Sequence, residues 1–355
     1  MLPLAAEIDR SDRVPDRLVR RLAEERFLGL GIPAQWDGVA ADSRSISAVL
    51  EELSRASAAV AVLVAVHLSV CAAPILTRGT EGQKARYLGP LARGEIIGAF
   101  GLTEPGAGSD TARIATRYRE GAEGFTLDGT KMFTSSAVSA GVILVFATRD
   151  PALGHRGITA FLVPAGSPGF SVAQRFDKLG LRGSETTELV LHDVRLPRDA
   201  RLGAEGEGLR IALGALTGGR VGIASCALGV AQAAFDEMRR AVARDDAEWK
   251  RPILARAFAE LAAARALVER AAERKDAGEP FVTDASVAKL AASRAAVTIA
   301  TAGIDVGAPE SSRAGATAER LWRDARVFPI VEGTTEIQEL ILARELLDPP
   351  DGPKL

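Results

Sequence analysis

The chain changes its hydrophobic period twice, and that order limits its architecture more than any other feature. Up to Gly94 apolar residues recur at helical spacing in three runs, Val14 to Gly29, Ser45 to about Leu76, and Thr80 to Gly94. Thr80 and Gln83 stand at the spacing of a capping box that opens the third run. From about Ile96 to Leu202 the period shortens to that of strands. β-Branched stretches cover Phe125 to Leu127, Val142 to Thr148, Ile158 to Val163 and Glu188 to Val194. Asp128-Gly129 supplies hairpin chemistry, and Gly166 to Gly169 a loop. Long Ala-rich runs then return: Gly208 to about Arg244, Ile253 to Ala277, Thr283 to about Gly303, and Thr335 to Leu347. Strand runs enclosed by helix runs predict a segregated α+β arrangement, with the last helices forming a bundle, and argue against a doubly wound sheet.

A formal net charge of -2 over 355 residues leaves no basic field for nucleic acid. Cys71 and Cys226 lie in apolar segments without a C-x-x-C spacing, so a disulfide framework is not expected. His67, His155 and His192 are far apart, and no metal is expected. The opening MLPLAAEIDRSDR lacks a basic stretch followed by a long apolar one, so a cytoplasmic protein is expected. Between Ala56 and Leu76 only Ser57, His67, Ser69 and the Cys71 thiol interrupt an apolar run. With Ala dominant and no aromatic belt, a buried central helix is expected there, and no membrane span.

Three strings carry chemistry. Phe100 to Asp110 reads FGLTEPGAGSD, a strand end entering a loop whose Gly106, Ala107, Gly108 and Ser109 let backbone amides approach a ligand. It lacks the third glycine and the βαβ setting of a Rossmann fingerprint. Lys131 to Ala137 reads KMFTSSA and follows the hairpin signal. Val331 to Gln338 reads VEGTTEIQ. Thr335 and Gln338 have capping-box spacing, so a helix with an apolar face of Ile337, Leu340, Ile341 and Leu347 is expected to start near Thr335. Glu332 then sits just before that helix. There a carboxylate either projects into a cavity or is a surface group favourable to the helix dipole.

All three strings resemble signatures of the acyl-CoA dehydrogenase family, and the collinear likeness runs from roughly Arg13 to Leu347. The resemblance implies a helical domain over 1–96, an antiparallel β domain over 97–205, a four-helix bundle over 206–348 and a tail over 349–355. It implies FAD as cofactor, held by Phe100, Leu102, Thr103, Gly108, Ser109, Phe133, Thr134, Ser135, Thr334 and Glu336. Phe133 stands where the family's strand has tryptophan. Ser109, Thr217, Arg220 and Gly333 are implied to bind an acyl-CoA or acyl-carrier thioester, and Asp177 to Val194 and Leu202 to Leu209 also follow the family. By the same likeness Glu332 is the base that removes the α-proton, with Arg220 beside it, and an electron-transfer flavoprotein reoxidises the flavin. Some members carry the base at the position of Gly219, which cannot serve.

Departures accompany the likeness. Arg113 replaces a small residue, Thr217 an aspartate and Val331 a tyrosine. The family's R-x-x-F-G and Q-x-x-G-G segments, which reach a neighbouring subunit's flavin, read RDDAEWKRPI from Arg244 and DVGAP from Asp305. The second bundle helix is about three turns short. These losses fall on contacts across subunits, which leaves a homo-oligomer or a hetero-oligomer with a related subunit as partners. A flavin oxidase or monooxygenase of the same fold is the alternative activity, and a flavin-binding subunit of a hetero-oligomer a further one.

Overall fold

The computed structural model describes residues 2–244, 247–307 and 309–347. The Pro-rich tail from Asp348 lies outside the described residues, as do Asp245, Asp246 and Ala308 of the two altered segments.

Among the described residues six α-helices precede the sheet: α1 (Leu2–Ser11), α2 (Asp16–Glu24), α3 (Ser43–Ala56), α4 (Ala58–Val66), α5 (Ala73–Arg78) and α6 (Glu81–Ala92). The expected run from Val14 to Gly29 stops early because Arg26 takes a left-handed φ of 62° and the chain resumes as one 3-10 turn, Phe27–Gly29. The expected run from Ser45 to Leu76 is two helices, since Ser57 is extended (φ −155°, ψ 109°). Its second part continues through a π-helical segment, His67–Ala72, into α5. There the fully buried His67 accepts from the Gly98 N–H at Nδ1 (3.1 Å) and so donates from Nε2 to the Leu28 carbonyl (3.1 Å). Burial pushes the imidazole down to about 4, so it is neutral and ties the Gly98 backbone to the N-terminal helices. The capping box at Thr80 forms as expected, and the Gln83 amide also donates to the Asp199 and Arg201 carbonyls.

The sheet has eight strands: β1 (Ile97–Gly101), β2 (Arg117–Glu120), β3 (Gly124–Ser135), β4 (Ala140–Thr148), β5 (Ile158–Pro164), β6 (Phe170–Arg175), β7 (Thr186–Pro197) and β8 (Arg201–Leu202). Its order is β6-β7-β3-β2-β4-β5-β8, with β1 on β4. Most pairs are antiparallel, but β1 runs parallel to β4, and β2 touches β4 in parallel at Arg117 and Thr148. Alternation decides the two faces. Val142, Leu144 and Phe146 turn toward the helices with Leu88 and Leu91, whereas Ile143, Val145 and Ala147 join Tyr118, Phe125 and Phe161 on the other side.

After the sheet come α7 (Gly208–Arg244), α8 (Arg251–Asp276), α9 (Val282–Val306), α10 (Thr317–Ala325) and α11 (Thr335–Leu347). α7 lies between α3, α8 and α9, and one core cluster runs through residues of both helical segments. Small residues permit the close approach: a Cβ on Gly229 would meet the Glu51 carbonyl oxygen of α3 at 2.2 Å. The Ser54 hydroxyl donates to the Cys226 carbonyl across the same seam (2.6 Å). Among the described residues three helical stretches are long and apolar enough to cross a membrane, Ala58–Arg78, Gly208–Arg244 and Val282–Val306, and 83% of the most apolar window of the first is buried inside the protein.

Candidate functional site

The turn between α10 and α11 places Glu332. Glu332 has φ 54° and Gly333 φ 93°, so the backbone reverses sharply and points the Glu332 side chain at α7. A Cβ built on Gly219 would meet Glu332 Oε2 at 1.9 Å, so the carboxylate occupies the space that the missing side chain leaves. Glu332 as a residue is only partly buried, yet its Oε2 is shut off from solvent and has no hydrogen-bond partner among the described residues. Burial pushes the carboxyl up to about 8, against the pull of Arg220 and Lys289. Arg220 is buried, and its Nε lies 3.5 Å from the Glu332 carbonyl oxygen, the long limit of a hydrogen bond. Burial lowers the guanidinium from its ordinary value while Glu332 works to raise it.

The capping reading of this segment shifts by one residue. Thr334 lies at the helix start, where its Oγ1 accepts weakly from the Ile337 N–H (3.4 Å), while the Thr335 hydroxyl donates to the Pro329 carbonyl (3.4 Å). Gln338 does not complete a box: its buried amide donates to the Gly333 carbonyl (2.9 Å). The Thr334 hydroxyl beside Glu336 holds that exposed carboxyl below its usual value. The expected apolar face of α11 is not a core face in this chain, since Leu340 and Leu347 are exposed. Thr217, on α7, spends its hydroxyl on the Leu213 carbonyl of its own helix (2.8 Å).

A second group forms around the loop after β1. Leu102 buries its side chain in the core under the sheet, so only its backbone faces outward chemistry, and its carbonyl accepts from Lys131 Nζ (3.2 Å). Phe100 lies edge-on to Phe146, with centroids 5.1 Å apart, and packs against both the helical core and the core under the sheet. Thr103 accepts from the Met132 N–H at its carbonyl (2.7 Å), which fastens the loop to β3. Gly108 and Ser109 are exposed, and a Cβ on Gly106 or Gly108 would meet nothing within 4 Å. On β3 the register to β7 shifts between Lys131 and Thr134. That bulge gives Phe133 a φ of 56° and turns its ring outward, 60% exposed and 5.2 Å from Phe176. Thr134 is buried with its Oγ1 unpartnered, and Ser135 is half-buried beside it.

Two features here have no counterpart in the sequence reading. Glu104 pairs with Lys131 (2.6 Å), both buried, and its carboxylate also accepts the Ala115 and Thr116 N–H groups (2.5 and 3.0 Å). It thereby closes the loop from Leu102 to Thr116 on itself. Glu104→Ala strands the Lys131 ammonium and two amides, so a stability loss of about 3–5 kcal/mol is expected in urea melts. Further replacing Lys131 by Met should recover only part of it. The other feature is Lys289 of α9, fully buried, whose Nζ donates to the Gly333 carbonyl at 2.8 Å. A lysine inside the Ala-rich stripe ASVAKLAAS, with no acid four residues away on either side, is the signal that could have found it.

Comparison with known proteins completes the identification. Models of the acyl-CoA dehydrogenase N-terminal, middle and C-terminal domains match residues 1–95, 99–194 and 206–347. The chain belongs to the acyl-CoA dehydrogenase family. Among relatives of this family, the mitochondrial short-chain specific acyl-CoA dehydrogenase of Bos taurus is 39% identical over 98% of this chain and 86% of its own. The structure of butyryl-CoA dehydrogenase from Megasphaera elsdenii is superposable with a TM-score of 0.95 at 35% identity, covering 98% of this chain and 94% of that one. A chain from the structure of the electron transferring flavoprotein of Acidaminococcus fermentans gives a TM-score of 0.96 at 33% identity, with 98% and 94% covered. The helical, β and helical order expected from the sequence is the acyl-CoA dehydrogenase fold.

Proposed function

We propose that this acyl-CoA dehydrogenase, an oxidoreductase acting on a CH–CH bond, converts a short-chain acyl-CoA to the trans-2-enoyl thioester with Glu332 as base. The observation that carries the reading is the Glu332 carboxylate, enclosed against Gly219 with one oxygen unpartnered and burial pushing it up to about 8. An α C–H beside a thioester is far too weak an acid for an ordinary carboxylate near 4.5, and each step upward in the base narrows that gap. Enolate charge also needs a donor. No acceptor among the described residues takes the Glu332 N–H, which leaves that amide free for the thioester oxygen.

The chain's own groups fit FAD. An outward Phe133 ring offers a face for a flat ring system, the unpartnered Thr134 Oγ1 and the half-buried Ser135 offer edge hydrogen bonds, and the open Gly106 to Ser109 loop admits a close backbone approach. Thr103, Thr334 and Glu336 complete the set by likeness to the family. When bound, FAD accepts the β-hydride, the redox step that no side chain can perform. Glu332 takes the α-proton, Arg220 and Gly333 hold the base and the thioester end, and Ser109 steadies the substrate. The domain boundaries near 96 and 205, a cytoplasmic setting with the three apolar stretches as core helices, and an electron-transfer flavoprotein as acceptor belong to the same reading.

Association with another subunit is part of the proposal as well. Trp249 and Phe258 are exposed, as are Leu340, Leu346 and Leu347 of α11, apolar side chains that a second subunit would cover. The test of function is the product. Butyryl-CoA incubated with the FAD-supplemented protein and an artificial electron acceptor should lose two hydrogens and yield trans-2-butenoyl-CoA by mass. Recovery of unchanged thioester would contradict the reading.

A further inference from the structure

Helix α9 holds the Glu332 turn from behind at two points one helical turn apart. The Ser293 hydroxyl donates to the Phe328 carbonyl (3.2 Å), and Lys289 Nζ donates to the Gly333 carbonyl (2.8 Å). Both residues are buried, and Gln338 of α11 donates to the same Gly333 oxygen from the other side (2.9 Å). A buried ammonium is costly, and among the described residues no carboxylate lies within ion-pair distance of Lys289. Its direct partner is a backbone oxygen, with the Glu332 carboxylate close enough to act through charge. A lysine retained under those terms, at the one turn where Glu332 and Gly333 both have positive φ, is placed to shape that turn.

We propose that Lys289 is a positioning residue for the proton-abstracting Glu332: it pins the Gly333 carbonyl so that the Glu332–Gly333 reversal is kept, and it lends the base a counter-charge. This rests on the reading of Glu332 as base. The groups acting on the carboxylate are Arg220 and Cys226 on α7 and Lys289 on α9, while Glu336 on α11 acts on Lys289. Arg220 reaches only the Glu332 carbonyl, at 3.5 Å, so Lys289 and Gln338 make the short bonds that hold the turn. Burial lowers the ammonium to about 8, with Glu332 opposing. The two groups therefore favour each other's charged forms. Removing the lysine charge leaves the carboxylate harder to ionise, which moves the acid limb of the activity profile to higher pH.

The experiment compares native protein with Lys289→Met and Lys289→Arg. One readout is the ¹³C-carboxyl titration of Glu332 in flavin-free protein, assigned by the signal lost in Glu332→Gln. The other is the pH profile of kcat/KM for butyryl-CoA in FAD-loaded protein. Lys289→Met should raise the Glu332 midpoint by about one pH unit or more, shift the acid limb with it, and cut turnover at neutral pH by roughly tenfold. Lys289→Arg should return the midpoint most of the way. A folded Lys289→Met protein whose midpoint and limb superpose on the native ones would overturn the assignment. If that variant does not fold, the native protein decides it: the Lys289 ¹⁵Nζ resonance should respond at the Glu332 midpoint, and no response would overturn the assignment equally. Activity surviving in Glu332→Gln marks failure of the base reading, separately from either Lys289 outcome.

Discussion

Glu332→Gln is expected to lower turnover of an acyl-CoA by at least about a thousandfold while leaving FAD binding intact, because the amide fills the same space beside Gly219 and cannot accept the proton. The same substitution has a stability signature of opposite sense. Glu332 rises from its ordinary 4.5 to about 8 on folding, so the folded chain holds that proton more tightly than the unfolded chain. The cost of keeping the carboxylate buried is absent below about pH 4.5, grows as pH rises from there to about 8, and is constant above it. Glu332→Gln should therefore match the native chain at low pH and exceed it in alkaline solution, by roughly 5 kcal/mol at the most. Chemical denaturation of both proteins across that range reads the difference. A gap that is constant with pH would mean that Glu332 does not lose its charge on burial.

Gly219→Ala should cut turnover sharply by displacing the base. The added Cβ would stand 1.9 Å from Glu332 Oε2 and 2.6 Å from its carboxyl carbon, inside any real contact distance. The turn cannot simply retreat, since Lys289 and Gln338 hold Gly333 at 2.8 and 2.9 Å. The carboxylate must leave its place by an ångström or more, a displacement that costs about a hundredfold in rate. FAD content should stay native, because the three atoms nearest to the added Cβ all belong to the Glu332 side chain. Steady-state kinetics with butyryl-CoA, alongside the flavin absorbance of the purified variant, separates the two effects. An unchanged kcat would show that Glu332 works from a different position.

Period and punctuation made the layers legible, because a helix and a strand bury their faces at different spacings whatever their neighbours are. Thr80 and Gln83 formed their box since both partners lie within one turn. What local pattern could not carry was anything settled by distant chain. Ser57 breaks a helix that reads as continuous, and α1 and α10 hold through ion pairs between Arg323 and Asp9 that are more than three hundred positions apart. The parallel β1–β4 pair is likewise a long-range choice. At the site, Glu332 was legible as a loop carboxylate before a helix, but its fit against Gly219 joins two helices and needs coordinates. Thr335 and Gln338 look like a capping box until Gln338 is seen to serve Gly333 instead. Lys289 escaped because a lysine in a helix is read as a solvated residue unless its stripe is followed residue by residue.

Anaerobic mixing of the FAD-loaded chain with butyryl-CoA, followed by flavin absorbance in native and Glu332→Gln proteins, tests the central claim most directly. Bleaching of the flavin by the native chain and none by the variant is the expected result. Equal bleaching in both, or none in the native chain with flavin bound, would contradict the assignment of Glu332 as the base of an acyl-CoA dehydrogenation.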